Sequence, residues 1–328
     1  MKTCIITEIP EISGVRYIKA GDTALSGADP KLLGCWSVCG NSAEQEFQKF
    51  TDKQDESTLE AGFMWQKISR KSQKYGLQAE VTSFVTISGD MEVEYVEITN
   101  ISDKDVEVVP IGVIPVYGRS ADNLRDHRHV TSLLHRIQTT EYGVEVKPVL
   151  SFDERGHQKN NTTYFVYGSA ENGEKPESFY PTVEAFIGEG GTFLNPEAVR
   201  TNKPGKTAGT KIQGKEAVGG LRFSRKTLKP KEAAGYILLS GTTKTSDSIA
   251  LLTSGCRTKL QVQKMLEEVK EHWIQKVNVA FETGNSDVDN YLKWICFQPI
   301  LRRIYGCSFL PYHDYGKGGR GWRDLWQD

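Results

Sequence analysis

The chain has 328 residues, 38% of them hydrophobic, with 41 basic and 42 acidic side chains and a formal net charge of -1. That balance gives no electrostatic footprint for a polyanion, so neither nucleic acid nor an anionic membrane surface is expected as a partner. The length permits roughly two domains and a sizeable buried core. Near the N-terminus, "MKTCIITEIPEISGV" meets acidic residues at once and has no long apolar core, so it does not read as a signal peptide. No apolar run is long enough to span a bilayer.

The strand signals begin with "AEVTSFVTIS" and "MEVEYVEITN", which alternate apolar and polar residues around a turn at Gly89 and Asp90. "DVEVVPIGVIPVYG" is nearly continuous in its apolar residues and predicts one strand buried on both faces. "GVEVKPVLSF", "TTYFVYGSA", "GGLRFS" and "AGYILLSGTT" supply further strands. Helical periodicity is scarce between them, which argues for a large antiparallel β-sandwich over a parallel α/β fold. The polar, glycine-rich stretch from residue 195 to 220 predicts a long surface loop.

The pattern changes near residue 259. Val262, Leu266, Val269, Trp273 and Val277 recur at helical spacing, with Lys264, Glu268 and Lys270 opposite them. A second stripe, Val288, Leu292 and Ile295, follows a capping-box signal at Ser286 and Asp289. Pro299 removes a backbone donor and predicts a kink or break there. The expected division is a sandwich over 1–258, a helical linker over 259–284 and the start of an α-helical domain over 285–328.

Six cysteines without a CxxC pair read as reduced thiols in a cytosolic protein. The cluster Arg119, Asp122, Arg125, Asp126, His127, Arg128, His129 and His135 reads as a salt-bridged loop or interface. Its arginines would repel a cation, so no metal site is expected. The densest chemistry lies at the end, in "HDYGKGGRGWRDLWQD". Glycine-rich backbone allows close approach to a ligand. Trp322 and Trp326 offer flat apolar faces suited to sugar rings, and Arg320, Arg323, Asp324, Gln327 and Asp328 offer groups suited to hydroxyls. A flexible surface loop, or a helix start with its tryptophans packed inward, satisfies the same residues.

The segment "NYLKWICFQPILRRIYGCSFLPYHDYGKGGRGWRDLWQD" resembles the opening of the catalytic domain of the inverting glycoside phosphorylases of glycoside hydrolase family 94. The match to their Gly-(Trp/Phe)-Arg-Asp-x-x-Gln-Asp mark runs from Gly321 to Asp328. "MEVEYVEITNISDKDVEVVPIGVIPV" and "EAFIGEGGTFLNPEAV" resemble segments of the family's N-terminal sandwich, and the form of the tail is most like the β-1,2-oligoglucan phosphorylases. The resemblance implies a β-sandwich, linker helices and the first helices of an (α/α)6 barrel that continues beyond Asp328, so that the chain alone is an inactive fragment. It implies Asp324 as general acid, Trp322 shaping the donor subsite, and Arg320, Arg323, Gln327 and Asp328 around the substrate. It implies inorganic phosphate as co-substrate with no cofactor, a β-glucan oligosaccharide as partner, and a homodimer in the full-length enzyme. The rival expectation is a non-catalytic carbohydrate-binding or interaction sandwich.

Overall fold

The computed structural model describes residues 2–8, 33–39, 56–73, 75–88, 91–116, 118, 131–153, 156–193, 196–244 and 246–305. The architecture is mainly β, with its longer helices at the C-terminal end. A nine-stranded antiparallel sheet contains β3 (Glu56–Gly62), β4 (Trp65–Ser72), β5 (Leu77–Val85), β6 (Met91–Asn100), β9 (His135–Thr139), β10 (Gly143–Pro148), β13 (Thr163–Ala170), β15 (Lys211–Gln213) and β18 (Ala233–Thr243). Its order is β15-β9-β10-β13-β18-β6-β5-β4-β3, so β3 is an edge. A five-stranded sheet runs β14-β16-β8-β1-β2, from β14 (Ser178–Thr182), β16 (Ala217–Arg222), β8 (Ile111–Val116), β1 (Lys2–Glu8) and β2 (Leu33–Cys39). Within it, β1 and β8 pair in parallel, an exception to the otherwise antiparallel ladder.

Two ribbons flank the sheets: β7 (Val106–Val108) with β17 (Lys226–Leu228), and β11 (Leu150–Asp153) with β12 (Gly156–Lys159). Helices follow as α1 (Val183–Ile187), α2 (Glu197–Arg200), α3 (Ser246–Ser254), α4 (Lys259–Val277) and α5 (Ser286–Tyr305).

Three clusters of buried side chains show why the central strands are apolar on both faces. Between the sheets, Val96, Ile98, Tyr236 and Leu238 meet Ile114, Val116 and Leu221. On the far face of the five-stranded sheet, Val113, Tyr180 and Val218 pack against Phe186 of α1 and Val199 of α2. On the far face of the nine-stranded sheet, Phe84, Val93, Phe165, Ile237 and Leu239 pack against Val262, Val269 and Trp273 of α4 and Phe297 of α5. Four layers result, and both sheets are covered on both sides. That explains the continuous apolar runs of β8 and β16, each buried at every position. Glycine permits the inter-sheet approach at Gly219, where a Cβ would lie 2.2 Å from the Cβ of Val166.

Several expectations need correction. The apolar run over 105–118 is two strands in different ladders, divided at Pro110: β7 pairs with β17, and β8 pairs with β16 and β1. Proline has no N–H to continue a ladder, while its carbonyl accepts from Phe223 N at 2.9 Å. Pro148 likewise ends β10, and Leu150 starts a separate ribbon. The stretch over 195–220 is not one loop. It holds α2, β15 and the start of β16, and its Ala198 and Val199 are buried. The turn read at Gly89 and Asp90 lies outside the described residues.

The first predicted helix forms as α4. A capping box starts it: Thr258 Oγ1 accepts from Gln261 N, and Gln261 Oε1 accepts from Thr258 N. Val262, Val269, Trp273 and Val277 are buried, and Leu266 is partly buried against the same cluster. The second helix differs from its prediction in three ways. Its cap is Asn285, whose Oδ1 accepts from Asp287 N at 3.0 Å, while Asp289 reaches back to the N–H and hydroxyl of Thr283. It runs through Pro299 without the break that was one of the two expected outcomes; the carbonyl that proline leaves without its helical donor belongs to Ile295, whose residue is exposed. The face toward the sheet is that of Phe297, with Cys296 and Ile300 beside it, whereas Val288 and Ile295 are exposed.

Candidate functional site

Asp324, Trp322, Arg323, Arg320, Gln327 and Asp328 lie outside the described residues, as do Arg119 through His129. The described chain leads toward the first group through α5, which ends at Tyr305. His135, the last member of the histidine-arginine cluster, is buried on β9. Its ring nitrogens face two carbonyls, Gly118 O at 3.0 Å and Lys215 O at 3.2 Å. Burial pushes its pKa down, against the pull of those carbonyls. It is a structural histidine. No group of residues able to hold a metal ion is present among the described residues.

A cleft of about 440 Å³ opens where "EAFIGEGGTFLNPEAV" wraps the five-stranded sheet. Its walls are built by local chemistry. Thr182 caps α1 by accepting from Ala185 N at 3.1 Å, and Gly188, at φ 83°, turns the chain out of that helix. Phe186 anchors the turn edge-on against Tyr180, with Phe193 beside it. On the opposite wall, Phe179 and Lys206 exchange backbone hydrogen bonds of 2.6 and 2.8 Å, and Tyr180 donates its hydroxyl to the carbonyl of Lys203. Gly205 allows this approach, since a Cβ there would meet Phe179 O at 2.3 Å.

The cleft carries three carboxylates, Glu184, Glu189 and Glu197, and three ammonium groups, Lys203, Lys206 and Lys215. Lys215 and Glu184 pair at 2.7 Å. The hydrogen bond from Lys215, and then its charge, hold the Glu184 carboxyl below the usual range. Glu184 is therefore a carboxylate at neutral pH, able to accept from hydroxyls but not to act as a proton donor. The lining suits polyhydroxyl ligands, with acceptors and donors interleaved. Sequence reasoning quoted the first wall for its family likeness but read the second as solvent-exposed loop. The buried Ala198-Val199 pair after Pro196 was the available signal.

The family model for the supersandwich domain of glycosyl hydrolase 94 matches residues 36–270. The chain belongs to glycosyl hydrolase family 94. The matched span takes in the whole nine-stranded sheet, the five-stranded sheet without β1 and the first residues of β2, and the first part of α4. No curated protein matches the sequence. Among solved structures, a human-microbiome protein assigned as a kojibiose phosphorylase aligns over 83% of this chain and 29% of its own, at 9% identity and TM-score 0.36. A bacterial glucoamylase complexed with acarbose aligns over 67% and 29%, at 8% identity and TM-score 0.39. An Escherichia coli K12 protein assigned as an aldose 1-epimerase aligns over 64% and 77%, at 9% identity and TM-score 0.32. The family 94 chain thus spans under a third of the length of the first two, and the assignment rests on the family model. No helix among the described residues is long and apolar enough to cross a membrane.

Proposed function

We propose that this family 94 chain is part of an inverting glycoside phosphorylase acting on β-glucosides such as β-1,2-oligoglucans. Phosphate attacks the anomeric carbon from the face opposite the leaving oxygen. The glycosidic C–O bond breaks as the phosphate O–C bond forms, Asp324 delivers its proton to the leaving oxygen, and α-glucose 1-phosphate is released. A hydrolase of inverting type needs a second carboxyl to activate water; phosphate is already anionic, so one acid suffices. The observation that carries this reading is the combination of a family 94 supersandwich with the Gly321–Asp328 motif in the same chain.

The other residues take supporting roles. Trp322 shapes the donor subsite. Arg323 and Asp328 bind substrate hydroxyls, and general acid catalysis by Asp324 needs its pKa held high. Arg320 contacts sugar or phosphate, and Gln327 the sugar hydroxyls. The cleft around Glu184 and Lys215 supplies sandwich contacts to the bound glucan. The enzyme works in the cytosol, where phosphate is at hand and the thiol of Cys256 stays reduced; the full-length enzyme is a homodimer and uses no cofactor.

The test is Asp324→Asn in the full-length enzyme. Phosphorolysis of β-1,2-linked glucan should fall by about 10²–10⁴-fold or more, with glucan affinity nearly unchanged, because the amide keeps the shape but has no proton to give. A donor with an activated leaving group should lose less. Near-normal phosphorolysis of β-1,2-glucan by Asp324→Asn would overturn the assignment.

A further inference from the structure

A second cleft, of about 500 Å³, lies where the β3–β4 turn meets α4 and α5. Its aromatic wall is Phe63, Trp65 and Trp294. Trp65 is committed to the fold: its indole lies against Gly62, where a Cβ would come within 2.2 Å of it, and Lys270 sits 4.6 Å above its ring. Trp294 is not so committed. It lies nearly parallel to Phe63, with centroids 6.3 Å apart and 16° between planes, and is tilted 53° to the Phe297 ring, 5.4 Å away. Yet 45% of it remains exposed. Water contact on so large an apolar surface is unfavourable, and nothing in the packing of α5 requires a tryptophan there, because Phe297 alone fills the buried position.

The polar rim has the complementary property. The side chains of Glu60, Asn290 and Lys293 line the cleft and make no hydrogen bond or ion pair among the described residues. Lys270, by contrast, has its charge matched by Glu267 at 2.9 Å. The cleft therefore offers a half-exposed ring face beside a carboxylate, an amide and an ammonium that have no partner among the described residues. Glu60 and Lys293 cancel in charge. A ligand that uses all of these is itself neutral, has an apolar C–H face to lie on Trp294, and has hydroxyls that both donate and accept.

We propose that this cleft is a second carbohydrate site, which takes a neutral glucan oligosaccharide on Trp294 and Phe63, with Glu60 accepting from its hydroxyls and Asn290 and Lys293 donating to them. It goes beyond the phosphorolysis reading, since it requires neither phosphate nor Asp324. A site of this kind holds polymeric substrate on the sandwich-helix face while its end is processed, and it raises the local concentration of chain ends.

The experiment uses the 328-residue protein labelled with fluorotryptophan. The Trp294 resonance is identified by its absence in Trp294→Phe. Neutral β-glucan oligosaccharides and an anionic polygalacturonate oligosaccharide are titrated, without phosphate. The Trp294 resonance should shift with the neutral glucan and not with the anionic one. Asn290→Ala should weaken that titration severalfold, and Trp294→Ala should lower calorimetric affinity by about tenfold, in line with the loss of one aromatic contact. Asp324→Asn should leave the Trp294 shift intact, so failure of the catalytic assignment and failure of this site are read separately. Asn290 is exposed on α5, so its variant tests the rim without disturbing the core. A Trp294 resonance that does not move with any neutral glucan, an unchanged titration in Asn290→Ala, or tighter binding of the anionic oligosaccharide overturns the proposal.

Discussion

Phe297→Ala tests whether α5 is held on the sandwich by one aromatic contact. Phe297 is fully buried. Its ring lies 4.5 Å from Phe63, 5.4 Å from Trp273 and 5.4 Å from Trp294, centroid to centroid. Truncating a buried phenylalanine costs about 3–5 kcal/mol. Elsewhere α5 has little to hold it: Val288, Tyr291 and Ile295 face solvent. The loss should therefore appear as local release of α5, not as unfolding of the sheets. Converted at about 1.36 kcal/mol per tenfold, it lowers amide protection in 286–305 by roughly 10²–10⁴-fold, up to the point where the helix is already open. Hydrogen exchange read by mass spectrometry resolves this, with β6 as the internal control because it is hydrogen-bonded on both sides, to β5 and β18. Unchanged protection of α5, or an equal fall in β6, would refute the reasoning. On the proposed reading of Asp324 as the general acid, phosphorolysis in the full-length enzyme should fall with the protection.

Asn100 is fully buried, donating from Nδ2 to Lys104 O and Leu228 O at 2.7 and 2.8 Å and accepting at Oδ1 from the N–H and hydroxyl of Ser102. Asn100→Ala should cost roughly 3 kcal/mol, seen in urea titration and as a Tm fall of about 6–12 °C for a domain of this size. His135 has a folded pKa below its unfolded value of about 6.5, so the unfolded state binds the extra proton. Stability should be complete above about pH 6.5 and fall as pH drops below it; His135→Gln should flatten that part of the profile in urea titrations across pH. The Lys259–Glu97 pair at 2.6 Å is partly exposed, with 42% and 24% of the two side chains accessible. A double-mutant cycle on it should give about 1 kcal/mol or less, shrinking further in high salt.

How much was legible in the sequence varied with how one-sided each element is. β6 begins and ends where "MEVEYVEITN" does, because its alternation and flanking polar residues mark both ends. Strands buried on both faces were found but badly bounded, since an apolar run carries no period to show where one ladder stops. Pro110 was the marker, and it was read as part of a run instead of a switch between sheets. In α4 a single apolar stripe opposes a charged face, so the buried residues were predictable. In α5 two apolar stripes compete, and periodicity cannot choose between Val288-Leu292-Ile295 and the Phe297 face. The choice is made by the aromatic cluster of Phe63 and Trp273, distant in sequence. The tail motif was legible as chemistry, through its tryptophans and carboxylates, without any geometry attached to it. The Glu184–Lys215 cleft was half legible, because one wall lies in a segment whose polar composition hides two buried residues.

Two kinds of contact fasten the helical layer to the nine-stranded sheet. Ionic and polar contacts gather at the start of α4, where Lys259 pairs with Glu97 and its N–H donates to Glu171 O, beside the Tyr95 hydroxyl that donates to both carboxylates. Aromatic contacts gather at the far end, where Trp273 and Phe297 meet edge-on over Phe63. The first set is partly exposed and shared with solvent, so each pair contributes little. It fixes where α4 begins more than how firmly it is held. The second set is buried, and each ring contributes several times as much. α5 is held by the second set, since it has no ion pair to the sheet among the described residues. The hold of the sandwich on α5 is therefore a matter of aromatic packing. Surface charge changes on α4 should leave it alone, while loss of a single ring at Phe63, Trp273 or Phe297 should not.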